Sequence, residues 1–103
     1  MNTLQRQLAI FGDLNPGHLP LHHMQMFLVI AEARSCTYQH LMDYFHLSNA
    51  AVSRSVCALG ADPRHRIVGL GLVERYIDPD EGRRYRVRLT KKGKLIYDQL
   101  SDA

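Results

Sequence analysis

The chain has 103 residues and a mass of 11.8 kDa, room for one domain and hardly two. Its 46% hydrophobic and 22% charged residues are those of an ordinary globular chain with one core and little space for a large substrate cavity, and its longest apolar run, the six residues Met26 to Ala31, is too short to cross a membrane. The net charge of +3 comes from one stretch: residues 72–94 hold eight bases and four acids, and the rest of the chain holds five and six.

The N-terminal sequence MNTLQRQLAIFGD has no basic cluster leading into an apolar core, so no signal peptide is expected. Residues 2–11 suit a short helix with Leu4, Leu8 and Phe11 on one face. Gly12, Asn15, Pro16, Gly17 and Pro20 mark a loop over 12–20. Residues 1–20 therefore read as an arm and loop, and 21–103 as the main domain. Leu21, Met24, Phe27, Leu28 and Ala31 recur at three- and four-residue spacing, which predicts a helix from Leu21 to Ala33. Val29 and Ile30 widen its apolar face enough to make it central to the core.

Thr37 suits the N-cap of a second helix, Tyr38 to His46, with His40 where a capping box has Glu. A tight turn, His46-Leu47-Ser48, leads to a third helix, Asn49 to Leu59, with Ser48 as its cap and Gly60 as its C′ residue. Val52, Val56 and Leu59 form its inner stripe, while Ala50, Ser53, Arg54 and Cys57 make a small, polar outer face. Such a face lets the helix approach another molecule closely, with Arg54 able to reach a base edge or a phosphate; a plain amphipathic surface helix reads the same way.

Residues 61–71 read as a loop on Pro63, Gly69 and Gly71. Leu72 to Ile77 is rich in strand formers, Asp78 to Gly82 is a turn, and Arg83 to Leu89 alternates: Tyr85, Val87 and Leu89 on one face, Arg84, Arg86 and Arg88 on the other. Thr90 caps a last helix, Lys91 to Leu100. Two helices joined by a three-residue turn and followed by a basic hairpin are a helix-turn-helix with a wing. The predicted class is α+β, mainly helical: a winged helix-turn-helix with a two-stranded wing over 72–89. In that arrangement helix 49–59 enters the major groove of double-stranded DNA and the wing lies on the adjacent minor groove or backbone. The alternative is a winged-helix module that docks on another protein, with a solvated charged hairpin.

Gly71 to Leu100, GLVERYIDPDEGRRYRVRLTKKGKLIYDQL, closely resembles the wing and following helix of the MarR family of bacterial transcription regulators, through GLV-E-R, an Asp-rich turn, Arg-Arg and LT-x-x-G. Leu47 to Leu59, LSNAAVSRSVCAL, is similar to that family's recognition helix, with its Ser53-Arg54 pair. Met24 to Leu59 also resembles the N-terminal part of LysR-type regulators, but the wing favours MarR. The resemblance covers roughly residues 21–100. It implies a transcription regulator, as a repressor, in the cytoplasm of a bacterium or encoded by a phage or plasmid. Asn49, Ala50, Ser53 and Arg54 would then meet the major groove, and Thr37, Tyr38, Gln39 and Ser48 the backbone at the two helix starts. Arg83, Arg84 and Arg86 would serve the wing, with Asp78 or Asp80 orienting a wing arginine.

Two departures matter. ADPRHRIV, residues 61–68, looks like an insertion, either a loop elaboration or a source of phosphate contacts through Arg64, His65 and Arg66. Family members also carry long terminal helices that interlock into a dimer around an effector pocket, whereas both ends here are short. A homodimer is still expected, through Leu4, Leu8 and Phe11 and through Leu95, Ile96 and Leu100; packing within one chain is the competing reading of those faces. Whether a small-molecule effector is bound stays open.

Other groupings are weaker. His18, His22 and His23 have Pro20 among them and no Cys or carboxylate, so no metal or other cofactor is expected. Cys57 beside Arg54 reads as an unreactive small residue before it reads as an oxidant sensor. Two cysteines, Cys36 and Cys57, fit a reduced compartment. No nucleophile–base–acid set and no phosphate-binding glycine loop is present, so catalysis is not expected.

Overall fold

A computed structural model describes residues 2–14, 19–60 and 69–103. Among these residues five helices, α1 (Thr3–Leu14), α2 (Leu21–Ala33), α3 (Tyr38–Phe45), α4 (Asn49–Leu59) and α5 (Lys91–Asp102), surround a small sheet of β1 (Ser35–Thr37), β2 (Val73–Ile77) and β3 (Tyr85–Leu89). The sheet is antiparallel with strand order β1-β3-β2. This is the winged helix-turn-helix expected from the pattern, with one strand more than the predicted hairpin.

The helix starts follow from side-chain capping. Thr37 Oγ1 accepts from the His40 N–H (3.1 Å), Ser48 Oγ from the Ala51 N–H (3.1 Å) and Thr90 Oγ1 from the Gly93 N–H (3.1 Å). Each such cap is worth about 1 kcal/mol. Thr90 also donates its hydroxyl to the Gly71 carbonyl (2.6 Å), which ties the start of α5 to the chain entering the wing.

The core is built on α2: Met26, Phe27 and Ile30 are fully buried, packed with Leu41, Val52, Leu59, Leu72 and Val87. Phe11 of α1 meets Phe27 edge to face at 6.1 Å. That contact explains why α1 runs through Gly12 to Leu14, where a loop was expected: a helical glycine costs about 1 kcal/mol, and burying Phe11 outweighs it. α3 stops at Phe45, one residue earlier than predicted, because His46 adopts a left-handed conformation (φ 55°) that makes the tight turn into α4.

Gly60 ends α4 in an extended conformation (φ −100°) rather than the left-handed one of a C′ glycine. Its reason is steric: a Cβ there would sit 2.8 Å from the Val73 carbonyl oxygen. Past it, the N–H groups of Leu70 and Leu72 donate to Ala58 O (3.1 Å) and Leu59 O (2.8 Å), closing the C-terminus of α4. Residues 61–68, the expected insertion with Arg64, His65 and Arg66, lie outside the described residues, as does His18.

No helix among the described residues is long and apolar enough to cross a membrane.

Candidate nucleic-acid interface

α3 and α4 pack on each other around the His46–Ser48 turn and present the start of α4 outward. Ser48, Asn49, Ala50 and Arg54 are exposed, and Ser53 is half-buried. Val52, Ser55, Val56 and Leu59 face inward, as the stripe predicted for all but Ser55. Arg54 has no ion-pair partner among the described residues, so its guanidinium is available to a ligand. Thr37 spends its hydroxyl on the α3 cap, and Gln39 donates its side-chain N–H to Asp43 Oδ1 (2.9 Å) at the surface.

Tyr38 lies at the start of α3, against the core. It is 8% exposed, with its ring 6.1 Å from Tyr85 across the wing. Burial pushes its phenol upward against a smaller opposing pull from Arg75. The apolar ring suits that burial.

The wing turn is organised by Asp78, which is 2% exposed. Its Oδ1 accepts the backbone N–H groups of Asp80 (2.8 Å) and Glu81 (3.3 Å), while Oδ2 accepts from Arg84 Nε (3.0 Å) and Nη2 (2.8 Å) and from Arg86 Nη1 (3.3 Å). The Arg84 hydrogen bond, with the Asp80 N–H, holds this carboxyl down at about 2. Of the two candidate acids, then, Asp78 orients the arginines; Asp80 supplies a backbone donor to it.

Arg86 is half-buried and fully engaged. Its Nε donates to Ser35 Oγ (2.9 Å), Nη2 reaches the Ser35 carbonyl (3.4 Å), and Ser35 Oγ shares a hydrogen bond with the Tyr76 hydroxyl. Arg86 thus braces β1 against the wing. The reason is β1 itself, which pairs Thr37 with Arg86 and brings Ser35 within reach. Arg84 keeps its side chain 48% exposed although paired. Arg83 stands exposed at the turn with no ion pair among the described residues. Sequence reasoning passed over Arg75, whose guanidinium lies 4.3 Å from the centre of the Tyr85 ring. Carrying the period-two alternation from 83–89 across the turn into 72–77 is the signal that finds it.

Behind the wing, a groove of about 320 Å³ between α2, β3 and α5 is lined by Arg34, Arg88, Lys94 and Tyr97 among others. No group of three or more metal-binding side chains occurs among the described residues.

No protein-family model matches the chain, and no curated protein does. Solved structures do. A mutant MarR from E. coli complexed with operator DNA is 22% identical, covering 97% of this chain and 66% of that one, with a TM-score of 0.66. A probable transcriptional regulator from Pseudomonas aeruginosa is 26% identical (96% and 69%, TM-score 0.65), as is a MarR-like transcriptional regulator from Thermotoga maritima (97% and 69%, TM-score 0.65). The chain thus has a MarR-like winged-helix fold and spans about two thirds of the length of these proteins.

Proposed function

We propose that this chain is a sequence-specific double-stranded DNA-binding transcription regulator, acting as a repressor and not as an enzyme. The observation that carries the reading is α4: a serine-capped helix, free of acidic residues, whose outward face is small side chains and one guanidinium with no ion-pair partner among the described residues, set beside a wing. In this reading α4 enters the major groove, with Asn49, Ala50, Ser53 and Arg54 toward base edges. Thr37, Gln39 and Ser48 approach the sugar-phosphate backbone at the starts of α3 and α4. Arg83, with Arg84 oriented by Asp78, serves the wing tip at the minor groove or backbone. Likeness to a protein solved on its operator supports the same reading. Such a regulator works in the cytoplasm.

We further take residues 21–103 as the DNA-binding domain and 1–20 as an arm that helps build a homodimer. Phe11 and Leu100 pack within the chain, and Gln7 Nε2 donates to Leu100 O (3.1 Å), so the arm lies on α5. Leu4, Leu8 and Leu95 remain exposed for a second copy. Light scattering checks this: a dimer mass supports it, and a concentration-independent monomer mass ends it.

The decisive experiment titrates the purified chain against its own upstream DNA and a scrambled duplex across salt. Preference for the first that survives moderate salt is the expected result. Weak, equal binding that vanishes with salt favours the protein-docking module instead.

A further inference from the structure

Each of the three strands sends one side chain into a single polar network. Ser35 opposes Arg88 and Thr37 opposes Arg86 across β1 and β3; Glu74 opposes Arg88 and Tyr76 opposes Arg86 across β2 and β3. Opposed residues, and residues two apart along a strand, share a face. Ser35, Tyr76 and Arg86 therefore lie together, on the face turned away from the buried Val73, Val87 and Leu89. There Arg86 Nε donates to Ser35 Oγ (2.9 Å), and that oxygen shares a hydrogen bond with the Tyr76 hydroxyl. The Arg88 guanidinium lies 4.2 Å from the centre of the Tyr76 ring and holds the ring that carries the hydroxyl.

The network joins the two parts of the molecule that the DNA-binding reading uses. At one end Arg86 Nη1 donates to Asp78 Oδ2 (3.3 Å), the same carboxylate oxygen that orients Arg84 at the wing turn. At the other end Ser35 stands two residues before Thr37, whose hydroxyl caps α3, and α3 packs on α4. The backbone ladder by itself is a weak link. β1 has three residues and pairs with Arg86 to Arg88 of β3, so beyond Arg86 the wing continues as two strands and a turn. A two-stranded hairpin is marginally ordered on its own. One guanidinium that grips both the turn acid and β1 fixes the direction in which the hairpin leaves the sheet.

We propose that Ser35, Tyr76 and Arg86 are positioning residues for DNA binding. They lock the wing hairpin to β1, and through β1 to the start of α3, so that the wing tip is held at a set distance and angle from α4. The spacing between the major-groove contacts and the wing contacts is then a property of the free protein and need not be ordered on the duplex. This inference rests on the DNA-binding reading above.

The test uses the full chain and a fluorescein-labelled duplex that the wild type enriches from a random-sequence library. Ser35→Ala and Tyr76→Phe each weaken binding roughly fivefold, because a wing free to swing must be ordered as it binds. Hydroxyl-radical footprinting at saturating protein tells position from fold: both variants lose protection where the wing sits and keep it where α4 sits. Tyr76→Phe keeps its ring beside Arg88 and melts like the wild type. Ser35→Thr, which keeps the hydroxyl, retains both affinity and wing protection. Ser35→Ala and Tyr76→Phe chains that bind and footprint like the wild type overturn the inference. So do equal losses of protection at the wing and at α4, or a Ser35→Thr chain as impaired as Ser35→Ala. All three results leave DNA binding standing, whereas a wild-type chain that enriches no duplex overturns both readings.

Discussion

Asp78 and Arg84 are joined across the wing turn through one carboxylate oxygen, which accepts both Nε–H (3.0 Å) and Nη2–H (2.8 Å) of the guanidinium. The carboxyl is held at about 2, below its ordinary value of 3.8, by that pair and the two backbone donors. A depressed carboxyl stabilises the fold fully above its unfolded value and loses that contribution as pH falls through the folded one. The wild type therefore loses stability between about pH 4 and pH 2 through this group. Asp78→Asn is less stable at pH 7 and flatter across that window. Urea unfolding of both proteins at a series of pH values checks this; parallel curves would falsify the role given to the carboxylate.

The two thiols differ in the same way that the sheet and α4 differ. Cys36, on β1, is buried, and burial pushes its thiol up to about 11, with Arg86 pulling weakly the other way. A raised thiol contributes stability below its ordinary value of 9 and loses it as pH rises toward 11. Cys36→Ala should flatten the alkaline limb of a stability-versus-pH curve. Cys57, only half-buried, is the thiol that a maleimide reaches in the native protein at neutral pH. Mass spectrometry should find one label per native chain and two after denaturation; two labels on the native protein would show that β1 opens.

How far the sequence reveals this fold depends on how local each cause is. The α3, α4 and α5 starts were legible because a capping hydroxyl acts within three residues. β1 was not: three residues carry no periodicity, and its partner β3 lies about fifty positions away. That one omission changed the reading of the wing. Alternation correctly put Arg84, Arg86 and Arg88 on one face, but whether a charge is available depends on its partners. Ser35 and Asp78 both bind Arg86 within the chain. Tyr38 is ambiguous for a related reason, since an amphipathic ring at a helix start suits either a core or a surface. On α4, by contrast, the inward stripe and the outward Arg54 followed from spacing alone.

Gly93, in the first turn of α5, tests whether the glycine of the LT-x-x-G pattern is there for space. A Cβ at this position would lie 2.0 Å from the Leu72 carbonyl oxygen, a backbone atom that also accepts the Thr90 N–H (3.0 Å). Helix propensity alone favours Gly93→Ala by about 1 kcal/mol. The overlap reverses the sign, and a net loss of about 1–3 kcal/mol is expected as α5 shifts off the wing strands. Chemical denaturation measures it. A variant as stable as wild type would mean that the helix start can slide without cost.

Arg54 gives the sharpest separation of function from fold. The side chain is exposed and has no ion-pair partner among the described residues, and arginine and alanine are both good helix formers. Arg54→Ala should therefore melt like the wild type. Its affinity for the preferred duplex should fall by roughly 1–3 kcal/mol if the guanidinium reads a guanine edge, with relaxed preference at that base pair alone. Loss of equal size on every sequence, with the salt slope lower by about one unit, would move Arg54 from base to phosphate while keeping α4 on the duplex. Unchanged affinity on all sequences, in a folded variant, would take the outer face of α4 off the DNA and with it the major-groove reading of this helix.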